Sequence, residues 1–301
     1  MTYSIVARDP ESGQLGVAVQ TFNLAVGMWV PWAEGGVGAV ATQARTERSY
    51  GTLGLDLIRG GKTAGEALSA LLSIDDKREF RQVSIIDYRE NIATHTGKHC
   101  FPEAGSVVGD TFCTQANMMA RNTVWGAMAD AYRTSGGDLA DRLLAALDAA
   151  EAEGGDMRGK QTAALLVVGP EHGSLPLIDL RVDHHPEPLA ELHRLLPLHR
   201  AYMLERQVAT HVDAGDPDAA YAALNKIEEW APNEPYLQYL RALHLAGRLG
   251  HWDDALAILH TLFQRDPTWR AYLEREAMVD NFGCDGLGRR LLDALDGAIK
   301  R

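Results

Sequence analysis

Thr2 stands directly behind Met1, at the head of the run TYSIVAR. A threonine, serine or cysteine that becomes the first residue of a chain carries both a nucleophile and a base. Its hydroxyl attacks a carbonyl, and its own α-amine takes the proton. The free amine has a pKa of about 8, so a useful fraction is neutral near physiological pH. Thr2 is small enough that Met1 is expected to be removed by ordinary processing. Without that removal Thr2 has no free amine, and the mechanism fails. The other requirement is a rigid terminus, which the start of a buried central strand would supply.

Other residue types could assist such a reaction. TQANMMARNTVWGAM offers Gln115 and Asn117, neutral amides that can donate to a developing oxyanion without changing protonation state. Asn117 is the better candidate, with capping of the following helix as its ordinary alternative. Gln43 and Arg45 close a strand and could rim a pocket. In GGDMRGKQ, Asp156 and Arg158 flank a glycine-rich turn. Arg158 could clamp a carboxylate with its planar fork, or simply pair with Asp156 to hold the loop. VDHHP does not read as a metal site, because neighbouring residues of an extended segment point to opposite sides. His95 is a hairpin histidine before it is a catalyst. RGGKTAG lacks the earlier glycine of a phosphate loop, since position 56 is Asp56. Neither metal nor organic cofactor is expected.

These residues need elements to hold them. Thr2–Arg8 and 14–21 read as a hairpin around Asp9-Pro10-Glu11-Ser12-Gly13. A strand is expected over 37–43, and a helix over 51–59 stopped by Gly60-Gly61. A second helix over 64–72 opens on the capping box Thr63 to Glu66. A second hairpin covers 83–87 and 92–96, helices 124–132 and 139–152, and strands 162–168 and 177–182. Strand pairs with grouped helices imply an α+β domain over residues 1–190. The segment 191–301 is all-α and repetitive. Gly215, Ala220, Leu224, Ile227 and Pro232 recur 35 residues later as Gly250, Ala255, Leu259, Leu262 and Pro267. This resembles the second half of a tetratricopeptide repeat. A last helix over 288–299 is expected to cap the array.

The succession of the first hairpin, GGVGAVATQ, LGLDLIRGGKTAGEALSALL and VSIIDYRENIATHTG resembles the N-terminal-nucleophile (Ntn) hydrolases. Within them, GLDLIRGGKTAGEALSALL followed by VSIIDYRENIATHTG is similar to aspartylglucosaminidase and γ-glutamyltranspeptidase chains. More closely, SIVARDPESGQLGVAVQ, VPWAEGGVGAVATQ, HTGKHC, TQANMMA, GGDMRGKQTAALLVV and RVDHHPEPLAEL resemble a bacterial Ntn-hydrolase-like family catalogued as a domain of unknown function. The resemblance implies a four-layer αββα sandwich. It also implies an amidohydrolase with Thr2 as nucleophile, acting on a C–N bond of a small polar amide or ureide. Gln43, Arg45, Gln115, Asp156 and Arg158 would orient the substrate. One departure is the lysine that proteasome-type threonine proteases set near the nucleophile. The first lysine here is Lys62, so tuning falls to Arg8, Arg45 or amides. The alternative is an inactive binding module whose helical repeats dock a peptide or protein partner.

A net charge of −12 argues against a nucleic-acid partner and an anionic membrane surface. Cys100, Cys113 and Cys284 form neither a zinc nor a disulfide spacing, which suits reduced thiols in the cytoplasm. The first residues lack the basic and apolar regions of a signal peptide. A homodimer is expected, and the two repeats are expected to lean on the first domain or on another subunit.

Overall fold

The computed structural model describes residues 2–279 and 286–299, so Met1 and Cys284 lie outside the described residues. The chain divides into two compact units, Met1–Leu195 and Leu196–Arg301. The first is mixed α+β and the second is helical.

Strands β1 (Thr2–Arg8) and β2 (Leu15–Thr21) form the expected hairpin. Its turn is built locally. The Asp9 carboxylate accepts from the Ser12 backbone N–H at 3.0 Å, and Gly13 takes φ +71°, which its missing Cβ permits. These strands lie in the middle of a six-stranded sheet. Its order is β10-β9-β2-β1-β8-β7, with β7 Gly105–Val108, β8 Phe112–Asn117, β9 Thr162–Val168 and β10 Ile178–Val182. A second, four-stranded sheet runs β3-β4-β5-β6, with β3 Pro31–Glu34, β4 Gly38–Ala44, β5 Arg81–Asp87 and β6 Ile92–Thr96.

The two sheets meet face to face. Val6, Val17 and Val19 share one apolar cluster with Ala39, Ala41 and Ile86 of the second sheet. Burying side chains of this kind contributes roughly 1.5–3 kcal/mol each for valine or isoleucine. Strand alternation then sends Tyr3 the other way. Its hydroxyl donates to Glu151 of helix α4 (Leu139–Ala152) at 2.8 Å. Burial first, and then the Glu151 charge, hold that phenol well above its ordinary range. Helix α3 (Val124–Thr134) packs beside α4. Helices α1 (Ser49–Arg59) and α2 (Ala64–Ile74) cover the other face of the second sheet, where Leu55, Ile58, Leu68 and Leu71 pack on Val40 and Ile85. Gly51 is required there: a Cβ at that position would stand 2.3 Å from the Trp32 ring.

The capping box of α2 is present in both directions. Thr63 accepts from the Glu66 N–H, and Glu66 accepts from the Thr63 N–H. Thr63→Ala should lower the unfolding free energy by about 1 kcal/mol in denaturant titrations.

Three strands were not expected from the sequence: β3, β7 and β8. The first two are short and sit at sheet edges. The third overturns the capping role for Asn117, which is the last residue of a central strand. Helix α3 starts seven residues later, at Val124.

Within the first unit, His193 near the start of α5 (Pro188–Asp213) has its Nε2 2.8 Å from an Asp148 oxygen of α4. That hydrogen bond raises the His193 pKa, against a smaller opposing effect of desolvation. The raised value means that the contact stabilises the fold fully below about pH 6.5 and loses its effect as pH climbs through the folded-state pKa. Both groups are half exposed, so screening holds the effect to about 0.5 kcal/mol. His193→Gln should destabilise the chain at about pH 5.5 and be close to neutral at about pH 8.5, as measured by urea unfolding.

The second unit carries the 35-residue correspondence into three dimensions. Gly215 and Gly250 take φ +75° and +76° at the turns before α6 (Pro217–Trp230) and α8 (Trp252–Arg265). Ala220 and Ala255, Leu224 and Leu259, and Ile227 and Leu262 are buried in matching positions. Pro232 and Pro267 each stand two residues past their helix. Between and after them come α7 (Pro235–Gly247), α9 (Thr268–Val279) and α10 (Leu287–Ile299). Leu287, Leu291 and Leu295 of α10 join the apolar core of this unit.

Candidate functional site

The site lies where β1 begins. Thr2 is 4% exposed and lines a cavity of about 250 Å³, together with Thr21, Asn23, Leu24, Val26, Trp29, Val30 and Thr46. Its Oγ1 donates to Thr21 Oγ1 at 3.1 Å. The hairpin register explains this neighbour. Tyr3 pairs with Gln20, so Thr2 falls opposite Thr21. The same rule applied to the sequence would have identified Thr21, which was missed.

A ladder of buried amides fixes Thr2 from behind. Gln43, at the end of β4, donates from Nε2 to the Thr2 carbonyl oxygen at 3.1 Å and to Gln82 Oε1 at 2.8 Å. Its own Oε1 accepts from Ser4 at 2.7 Å. Gln82 Oε1 also accepts from Asn117 Nδ2 at 2.9 Å. Gln82 Nε2 donates to the Ala116 carbonyl at 2.9 Å and contacts Thr96 Oγ1 at 3.0 Å. Gln115 bonds to Ala41 O and Ser4, and accepts from Ser84. Ser4, Gln43, Gln82, Ser84, Gln115 and Asn117 are buried, so the hydrogen bonds of this ladder form away from water. Gln82 is the hub and was not anticipated.

The structure therefore sorts the sequence candidates. Thr2, Gln43 and Asn117 come together: Thr2 is the register partner of Asn117 across β1 and β8. Gln115 belongs to the same ladder but lies deeper, between the sheets, with its amide engaged on both sides. Arg45 turns away. Its guanidinium sits 5.7 Å above the Phe80 ring. Arg8 is at the far end of β1 and pairs with Glu90, so it does not tune Thr2. Asp156 is buried, accepts from the Phe22 N–H at 3.1 Å, and pairs with Arg158 at 3.1 Å. Arg158 reaches Asn23 Oδ1 at 3.5 Å, which brings it to the cavity wall. The loop-holding role of the Asp156–Arg158 pair is thus real. His95 contacts the Arg78 carbonyl, and His184 contacts Gln161.

Two backbone outliers flank the ladder. Ala44 and Met118 have φ of +68° and +59°, and they directly follow Gln43 and Asn117. A left-handed conformation costs an alanine or methionine on the order of 1 kcal/mol or more. At both places the chain leaves its sheet sharply, just after the amide that faces the site.

Chemically, the arrangement presents a hydroxyl on the floor of a small cavity whose wall is half apolar. The structure resembles the crystal structure of protein SPO2555 from Silicibacter pomeroyi, itself ascribed to the family model DUF1028. The likeness has a TM-score of 0.60 and 36% sequence identity, and covers 64% of this chain and 87% of that one. No curated protein matches the chain. Among the described residues no helix is long and apolar enough to cross a membrane. The model of DUF1028, described as a family of unknown function, matches residues 2–192, nearly two thirds of the sequence, and the chain belongs to that family.

Proposed function

We propose that the first unit is an N-terminal-nucleophile amidohydrolase with a four-layer αββα architecture, and that Thr2 is its nucleophile. The observation that carries the reading is the position of Thr2. It stands at the head of a central strand, on a cavity floor, with its carbonyl fixed by Gln43. Once Thr2 is the first residue, its amine on Cα lies one carbon from the Cβ that bears Oγ1 and can take the hydroxyl proton directly or through one water. Oγ1 adds to the amide carbon, and Asn117 Nδ2 or a backbone N–H donates to the oxyanion. The C–N bond breaks as the ammonium returns the proton to the leaving nitrogen. Water then releases the acyl group from Oγ1.

The cavity wall supports a less polar substrate than the sequence suggests. Leu24, Val26, Trp29 and Val30 give it an apolar side, and the polar orienting groups expected of Gln43 and Arg45 are used elsewhere. A small amide with an aliphatic or aromatic acyl portion fits this surface. Drug-sized ligands occupy cavities of about 300–1,000 Å³, so one of 250 Å³ takes a smaller molecule. The helical unit is, in this reading, a tetratricopeptide-like array.

The test is a panel of small N-acyl amides assayed with protein whose mass and first residue show Thr2 at the terminus. Hydrolysis by this protein and its loss in Thr2→Ala, with substrate binding retained, is the expected result. Turnover of any amide that survives Thr2→Ala overturns the assignment.

A further inference from the structure

A second cavity of the first unit, of about 350 Å³, lies at the other end of β1 from Thr2. There the Arg8 N–H donates to the Thr111 carbonyl at 2.8 Å, and Thr111 belongs to the turn between β7 and β8 that forms one wall. Six steps of extended strand put about 20 Å between this wall and Thr2, so the cavity is a separate site. Its volume falls within the range of about 300–1,000 Å³ that small-molecule pockets occupy.

The floor is aromatic. The rings of Phe112 and Tyr132 meet at 4.6 Å. Two arginines lie on them, the Arg133 guanidinium 5.1 Å above Phe112 and the Arg142 guanidinium 4.3 Å above Tyr132. Stacking of this kind holds the plane of each fork. An arginine side chain carries five N–H donors. Arg133 uses one on Asp130 at 3.1 Å, and Arg142 one on Asp9 at 3.5 Å. Two cations, each with donors to spare, thus border one small volume.

Beneath Arg142 the Tyr132 side chain is 1% exposed, and its hydroxyl makes no hydrogen bond. Burial raises that phenol to about 12, with Asp9 adding and Arg142 and the Thr111 hydroxyl opposing, so it keeps its proton at neutral pH. A buried O–H without an acceptor is costly, and an acceptor brought by a ligand removes the cost. The wall also carries one acid. The exposed Asp110 lines the cavity and has no ion pair among the described residues. With Asp9 and Asp130 already beside the two arginines, this further carboxylate disfavours a phosphate dianion. It suits a ligand with one anionic and one cationic end.

We propose that this cavity binds a free α-amino acid. The ligand carboxylate accepts from the Tyr132 hydroxyl and from the forks of Arg133 and Arg142, and its ammonium donates to Asp110. The assignment is independent of the chemistry at Thr2.

The experiment is isothermal titration of the full chain with L-alanine and L-leucine, each beside the acid that lacks its amine (propionate and isocaproate), and with inorganic phosphate. At least one amino acid should bind with a dissociation constant below about 1 mM. Its deaminated acid should bind at least about tenfold more weakly, and Asp110→Asn should erase that difference. Arg142→Gln and Tyr132→Phe should each lose at least about tenfold in affinity with unchanged far-UV spectra. If Arg142→Gln does not fold, Arg133→Gln carries the comparison. No binding of either amino acid overturns the proposal. Binding that these variants leave unchanged also overturns it, because the amino acid then sits elsewhere. So does tighter binding of phosphate or of a deaminated acid.

Discussion

Gln82→Leu should be among the most damaging single substitutions in the first unit, with a loss of about 3–5 kcal/mol in unfolding free energy. Leucine matches the volume of glutamine and removes no apolar contact. The damage comes from what it leaves behind. Asn117 Nδ2 and one Gln43 donor lose the oxygen they share, and the Ala116 carbonyl loses a donor. Each stranded group costs about 1–3 kcal/mol when water cannot reach it. A domain holds only about 5–15 kcal/mol in total, so the shift in denaturant midpoint should be large. Ser84→Ala, which frees the single Gln115 oxygen, should cost about 1 kcal/mol. A Gln82→Leu loss no greater than that of Ser84→Ala would show that the ladder tolerates a missing rung.

The second large effect concerns the amine. Protein carrying any residue ahead of Thr2 should hydrolyse the test amides at least about 10³-fold more slowly than protein beginning at Thr2. Both forms keep the Thr2 hydroxyl, the Gln43 contact and the cavity, so the comparison isolates the base. A cleavable leader makes the comparison within one preparation. Activity should appear in step with the mass of the trimmed chain. Equal rates before and after cleavage would mean that another group takes the proton. The hydroxyl's neighbour Thr21 is then the first residue to substitute.

How much of this was legible in the sequence depends on where each polar residue faces. The first hairpin, the β5–β6 hairpin and most helices announce themselves, because their patterns match one secondary-structure period. β8 does not. Its run FCTQAN is buried at every position, with Thr114 turned to the α3 carbonyl of Trp125 while Gln115 and Asn117 serve the ladder. A central strand with amides on its inner face shows no apolar alternation, and Asn117 then looks like a helix cap. Thr2 is legible from its place behind Met1 at the head of a strand, and Gln43 from its place at a strand end, although its contact with the Thr2 carbonyl is not. Gln82 is not legible, because a glutamine near the start of a strand carries no signal until its partners are seen together. Arg45 failed for the opposite reason: its place at a strand end was read correctly, but only the fold shows Phe80 beneath it.

The placement of β1 also sets a clock. The strand that bears Thr2 is interior to its sheet, yet its β8 neighbour lies about 110 residues further along the chain. At a synthesis rate of roughly 5–20 residues per second, that separation is on the order of ten seconds. Through that interval the head of β1 has one sheet neighbour and an open flank, within reach of a processing peptidase. Once β8 pairs, the same terminus has a strand neighbour on each side. The nascent chain is thus the easier substrate for any trimming in front of Thr2, and slowing translation before residue 112 should raise the trimmed fraction.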